Sequence, residues 1–245
     1  MKLCGFVFVI LFSSWALAKE KQVLRYGVNS NYAMPLLGLT RLPQGQVLQE
    51  GILKDLGLAL AKELKREPQF ILLPKIRVAE NLKAGSVDIL CHLNEVWQPA
   101  IKNDVYWSDA LYESRNLIVH IDSKPIKRIS DLYGARVGTV LNFIYQNLDP
   151  YFAKKQILRE DTSTNESNIQ KILKGRIDYL VMSNLEFDFY KRIYPNLDAV
   201  DLNMDSVQTK CALSKKSSIR QESFDKAIFN IQTTGVLRKI LKVYQ

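Results

Sequence analysis

The chain has 245 residues, 47% of them hydrophobic and 10% aromatic, with a formal charge of +9 and three cysteines. This composition excludes a disordered or low-complexity protein, and it supplies enough apolar side chain for one large domain or two modest ones. Lys and Arg are scattered, dense only in short runs such as residues 124–128, which argues against a nucleic-acid partner. The positive balance favours an anionic solute over a cationic one.

MKLCGFVFVILFSSWALA, residues 1–18, has the grammar of a secretory signal peptide: Lys2, an apolar run through Phe12, and small residues at Ala16-Leu17-Ala18. Ser13 and Ser14 interrupt the run, which weighs against an uncleaved anchor helix. Cys4 lies too near the start to follow its own apolar run and carry a lipid. The mature chain is expected to begin at Lys19 and to be periplasmic. No later segment approaches the ~20 apolar residues of a membrane helix.

Residues 22–28 read as a strand. Residues 49–65 read as a helix, with Leu53, Leu56, Leu60 and Leu64 recurring at three and four residues. A strand at 69–73, a helix at 76–83 closed by Gly85, and a strand at 87–93 follow. This order implies a parallel sheet covered by helices. The pattern restarts with a strand at 116–121, a helical turn at 131–134 and a strand at 136–140. Residues 142–153 and 167–174 read as helices, 177–182 as a buried strand, 210–214 as extended chain, and 221–231 and 235–244 as closing helices.

Two segments echo one another: AENLKAGSVDILCHL and IQKILKGRIDYLVMS both read helix, glycine, aspartate, apolar strand. Asp88 and Asp178 therefore open equivalent strands, whose far ends meet between two α/β lobes. Ligands of open α/β sheets bind beyond such ends, which places residues 91–95 and 182–186 at a cleft. Cys91 and Cys211 form either one long-range disulfide or two buried thiols. Neither has the neighbours of a metal site, and no metal or other cofactor is expected.

Six stretches, in order, resemble the periplasmic solute-binding proteins of the polar amino-acid type (family 3), which feed ABC importers. They are GILKDLGLALAKEL, LKAGSVDI, VYWSDALY, ISDLYGARVGT, GRIDYLVMS, and CALSKKSS with TTGVLRKILKVY. The resemblance implies a two-lobed type II periplasmic-binding fold with two hinge strands. Lobe 1 would comprise residues 19–112 plus 212–245, and lobe 2 residues 113–211. It also implies a monomer that traps a small solute by hinge closure and docks on a permease.

The family's carboxylate-binding arginine would fall on Ala100 or Ile101, and its ammonium-binding aspartate on Ser183. Both charges are missing, so the expected solute is polar, possibly anionic, and not an ordinary α-amino acid. The resemblance puts Asn29, Tyr32, Lys75, His92, Leu93, Asn94, Glu95, Asn142, Phe143 and Ser183 at the ligand. Asn142 and Phe143 would open a helix whose N–H groups receive an anion. Trp97 and Glu186 are further candidates, Glu186 only where it turns inward. Two alternatives stand beside import: a receptor subunit for a membrane sensor, and a lyase resembling the cyclohexadienyl dehydratases, with Glu95, Lys75 and His92 as its reactive groups. No set of catalytic residues accompanies them, and the chain is not expected to be an enzyme.

Overall fold

Leu24, Tyr26 and Val28 alternate into the core along β1 (Val23–Asn29), and the strands on either side of it in space arrive by helical crossovers. The computed structural model describes residues 22–121, 126–204 and 206–244; the signal-like residues 1–18 and the start of the 124–128 run lie outside the described residues. β1 pairs in parallel with β4 (Glu67–Leu73) and with β5 (Ile89–Leu93). Between them run α1 (Ile52–Glu63), which buries Leu53, Leu56 and Leu60, and α2 (Lys75–Ala84), capped by Gly85. The helix expected from residue 49 starts later, because Gln49 and Glu50 belong to a hairpin, β2 (Gly38–Leu42) with β3 (Gly45–Glu50). Gly51, at φ 119°, ends that hairpin.

The second unit repeats the plan. β8 (Arg136–Val140) pairs in parallel with β9 (Leu158–Thr162) and with β10 (Tyr179–Ser183); α4 (Asn165–Leu173) and α5 (Asn184–Ile193) lie against this sheet. The helix expected over 142–153 is reduced to α3 (Asp149–Ala153). Side chains take the backbone groups that a longer helix would need: Arg159 donates to Val140 O and Phe143 O, and Asp149 accepts from Tyr145 N at 3.0 Å. Residues 184–193, unassigned from sequence, form α5.

Two long strands join the units. β7 (Tyr112–His120) pairs with β10 and with β11 (Asp198–Val200), and its first residues pair with the start of β12 (Ser206–Ser214). The rest of β12 pairs with β5 and with β6 (Val105–Trp107). One sheet path, β4-β1-β5-β12-β7-β10-β8-β9, therefore runs through both lobes, with β7 and β12 as the connection. Cys91 and Cys211 are joined in a disulfide between β5 and β12. The C-terminal helices α6 (Gln221–Thr233) and α7 (Val236–Tyr244) pack on α1, where Tyr244 Oη donates to Asp55 at 2.9 Å.

The echoed segments share one device. Asp88 accepts from Arg25 N at 2.9 Å and Arg25 Nη2 at 2.6 Å, while its own N–H donates to Arg25 O. Asp178 accepts from Arg136 N at 2.8 Å and Arg136 Nη2 at 2.9 Å, with its N–H on Arg136 O. Two residues beyond each arginine stands a glycine that a Cβ would not suit. On Gly27 it would come within 2.9 Å of Leu90, and on Gly138 within 2.5 Å of Ile177. R-x-G in one strand and an aspartate opening the next thus set the register of both parallel pairs.

The two pairs differ in burial: the Asp88 side chain is 2% exposed and that of Asp178 is 42% exposed. Burial opposes ionisation of Asp88, but the bonds from Arg25 and Ser217 outweigh it and hold its carboxyl below the usual range. Its stabilising contribution is complete above the unfolded-state value near ~4 and is lost as pH falls through the lower folded value. Asp88→Ala is expected to cost about 3 kcal/mol in urea unfolding at pH 7, because it strands a partly buried guanidinium, and Asp178→Ala is expected to cost clearly less. Equal costs would contradict this account.

Candidate functional site

Both strand-opening aspartates aim their strands at one place. His92 and Leu93 at the end of β5, and Met182 and Ser183 at the end of β10, line a cavity of about 50 Å³. β7 contributes Ser114 and Asn116, so the connecting strand forms part of the wall. Tyr32, from the turn after β1, meets Phe143 of the opposite lobe edge to face, with ring centroids 5.7 Å apart, and Asn31 Nδ2 donates to Ser163 O at 3.0 Å. The two lobes therefore touch across the site. A typical ligand site offers at least ~300 Å³, so this cavity is much smaller than one in the present arrangement of the walls.

Aromatic rings dominate the first wall. Tyr32 Oη donates to His92 O at 2.9 Å, its ring meets the His92 imidazole edge to face, and His92 Nδ1 lies 3.0 Å from Tyr112 Oη. Trp97 flanks the same imidazole with centroids 5.7 Å apart. His92 adopts φ +57°, beside the irregularity where β12 shifts register against β5, and is buried. A non-glycine residue held in this left-handed region at a strand end is a local strain that the surrounding packing must hold. Burial pushes the imidazole down to about 3, so it stands neutral in the wall.

Two ionisable groups besides the imidazole reach the cavity. Glu186 sits in the first turn of α5 as the partner of a capping box. Ser183 Oγ accepts from Glu186 N, and Glu186 Oε2 accepts from Ser183 N at 3.2 Å, Ser183 Oγ at 2.9 Å and Asn165 Nδ2 at 3.0 Å. Burial pushes this carboxyl up, against the pull of those donors. Among the described residues no ion pair reaches it. Lys75 opens α2 on the other side, and its Nζ donates to Trp97 O at 3.1 Å. Burial pushes the ammonium down to about 8, which leaves it mostly protonated at neutral pH.

Of the residues expected at the ligand, the structure brings together Tyr32, Lys75, His92, Leu93, Phe143 and Ser183. Four lie outside the lining. Asn29 is buried under the turn, where its Oδ1 accepts from Asn31 N. Asn94 ties the β5 end to β12, donating to Gln208 O and accepting from Val96 N. Glu95 is held by Lys210 at 2.7 Å. Asn142 is exposed at φ +65°, and no helix begins there, so the anion-receiving N–H groups expected at 142–143 are absent; Phe143 N bonds to Val140 O instead. Ile101, at the expected arginine position, is buried under α2, and Ala100 is exposed.

Several wall residues escape sequence reasoning: Leu36, Ser114, Asn116, Ile144, Tyr145, Asn165, Val181. Glu186 had a legible signal. SNLE, residues 183–186, has the S-x-x-E spacing of a capping box, which turns the glutamate back toward the strand end. Among the described residues there is no His, Cys, Asp and Glu cluster able to hold a metal ion, and no helix long and apolar enough to cross a membrane.

No protein-family profile matches the chain. It is 25% identical over 195 residues to an arginine-binding extracellular protein of Bacillus subtilis, a match covering 77% of this chain and 74% of that one. An ancestral arginine-binding protein bound to arginine superposes with TM-score 0.75 at 22% identity, covering 91% and 98% of the two chains. An ancestral amino-acid-binding protein described as a precursor of cyclohexadienyl dehydratase superposes with TM-score 0.72 at 19% identity, covering 91% and 95%. These likenesses bear out the two-lobed periplasmic-binding fold and the resemblance to amino-acid-type solute-binding proteins read from the sequence.

The buried imidazole yields a pH prediction. With its folded value near 3 and its unfolded value near ~6.5, His92 binds a proton in the unfolded chain first. Its contribution to stability is complete above ~6.5 and declines as pH falls from there toward 3. His92→Phe is therefore expected to flatten the fall in urea midpoint between pH 7 and 5. In the wild type, the NMR resonances of His92 are expected not to titrate over that interval; a midpoint near 6 would refute the buried placement.

Proposed function

We propose that this chain, a divergent relative of amino-acid-type solute-binding proteins, is an extracytoplasmic receptor that closes two lobes on a small amino-acid-like solute and delivers it to an ABC-type importer. The hinge runs through β7 and β12, with lobe 1 as residues 19–112 plus 212–245 and lobe 2 as 113–211. The observation that carries the reading is the cavity at the ends of β5 and β10, walled by both lobes and holding one acid and one amine unpaired with each other. A solute that touches both walls favours the closed arrangement, and this differential contact is what hinge closure requires.

The relatives lend no support to an anionic or non-amino-acid solute. The inward turn of Glu186 removes half of the reason for excluding amino acids, because it supplies a buried carboxylate one helical turn from the empty aspartate position at Ser183. Lys75 supplies a cation for a carboxylate in place of the missing arginine, as a point charge and without the two-pronged geometry of a guanidinium. Tyr32, Phe143 and Trp97 would pack on the solute's body, and His92, being neutral, would offer surface and not charge. Binding is favoured over catalysis, since the named relatives are described as binding proteins.

The test is a thermal-shift screen of purified residues 19–245 against amino acids, L-arginine and L-glutamine included. At least one compound carrying both an amine and a carboxylate should raise the midpoint, with stabilisation of about 2.7 kcal/mol at a hundredfold excess over its Kd. Glu186→Gln, nearly isosteric, should fold and lose the response. An unchanged response in Glu186→Gln, or stabilisation by dicarboxylates alone, would overturn the assignment.

A further inference from the structure

The cavity holds its two charges apart. Lys75 stands at the start of α2 with its Nζ on Trp97 O, beside the rings of Trp97 and His92. Glu186 stands at the start of α5 in the other lobe, anchored through Oε2 to Ser183 and Asn165. Among the described residues no hydrogen bond or ion pair links them. Each is perturbed by burial, and neither contributes to the other's shift, whereas the Glu186 charge is felt by Tyr32, Tyr145 and Tyr190. Tyr32 and Phe143, the rings that meet across the lobes, belong to the wall between.

A ligand carrying ammonium and carboxylate on a single carbon satisfies one of these sites and leaves the other buried group without a counter-ion, which disfavours its binding. A ligand that carries them at opposite ends of an apolar chain satisfies both. It also lays its methylenes on aromatic surface and contacts both lobes.

We propose that the cleft selects zwitterions whose cation and carboxylate are separated by an aliphatic spacer, the ω-amino acids, over α-amino acids of the same size, with Glu186 receiving the cation and Lys75 the carboxylate. This rests on the solute-receptor reading above and specifies its substrate class.

Two isomers isolate the point: 5-aminopentanoate and L-2-aminopentanoate share every atom and differ in where the amine sits. Calorimetric titration of purified residues 19–245 is expected to show at least tenfold tighter binding of 5-aminopentanoate, or of its 4-carbon or 6-carbon homologue, than of the 2-amino isomer. Glu186→Gln and Lys75→Met should each weaken that binding at least tenfold, and Lys75→Arg should restore most of the loss at position 75. Melting midpoints without ligand report whether each variant folds. Equal or tighter binding of the 2-amino isomer overturns the proposal. So does failure of every ω-amino acid while L-arginine or another α-amino acid binds, an outcome that leaves the receptor reading intact. Absence of any amino-acid binder sinks both.

Discussion

The position of everything at the cleft follows from where two strands begin. Arg25 with Asp88, and Arg136 with Asp178, each exchange backbone and side-chain hydrogen bonds across a parallel pair, and so fix which residue of β5 or β10 starts the strand. Register in a sheet is unforgiving, because a slip of one residue turns every side chain to the other face. Four and five residues after the aspartates come His92 and Leu93 in one lobe, Met182 and Ser183 in the other, all in the wall of the cavity. Gly27 and Gly138 let the neighbouring side chains close over these strands. The repeat is thus a positioning device used twice, buried in the first lobe and half open in the second.

From there the second lobe builds its acid. Ser183 ends β10 and caps α5 in one step, and the capping box turns Glu186 inward, where Asn165 of α4 completes its set of donors. Asn168, one turn further along α4, donates to Thr139 O and to Asn165 Oδ1, so the acid is tied back to β8 through amides and not through cations. The donors fix this carboxyl in place and favour its charged form, while burial opposes it. The first lobe, by contrast, offers aromatic surface and one lysine.

The connecting strands do more than join the lobes. β7 supplies Ser114 and Asn116 to the cavity, and β12 carries Cys211 and Lys210, which hold β5 and Glu95. In the proposed receptor, this placement would couple occupancy of the site to the angle between the lobes without an intermediary. Asn94 and Glu95, expected at the ligand, instead bind the connecting strand β12, and their polarity serves the joint between β5 and β12.

The amino-acid sequence by itself determined the succession of helices and strands, the doubled aspartate motif, and hence the two-lobed plan. These depend on periodicity, on Gly and Asp at fixed spacing, and on short-range hydrogen bonds that neighbouring residues settle among themselves. The direction of the strand ends also placed His92, Leu93 and Ser183 at the cleft, while Tyr32, Lys75 and Phe143 were expected there only from the resemblance to a known family. Where chain segments distant in sequence compete for the same groups, only the tertiary structure decided. Arg159 captured the carbonyls of Val140 and Phe143 and left residues 142–148 without a helix. Lys210 drew Glu95 out of the site, and Asn165 helped to hold Glu186 within it. Those outcomes depend on partners 16 to 115 residues away, a separation at which local pattern carries no information.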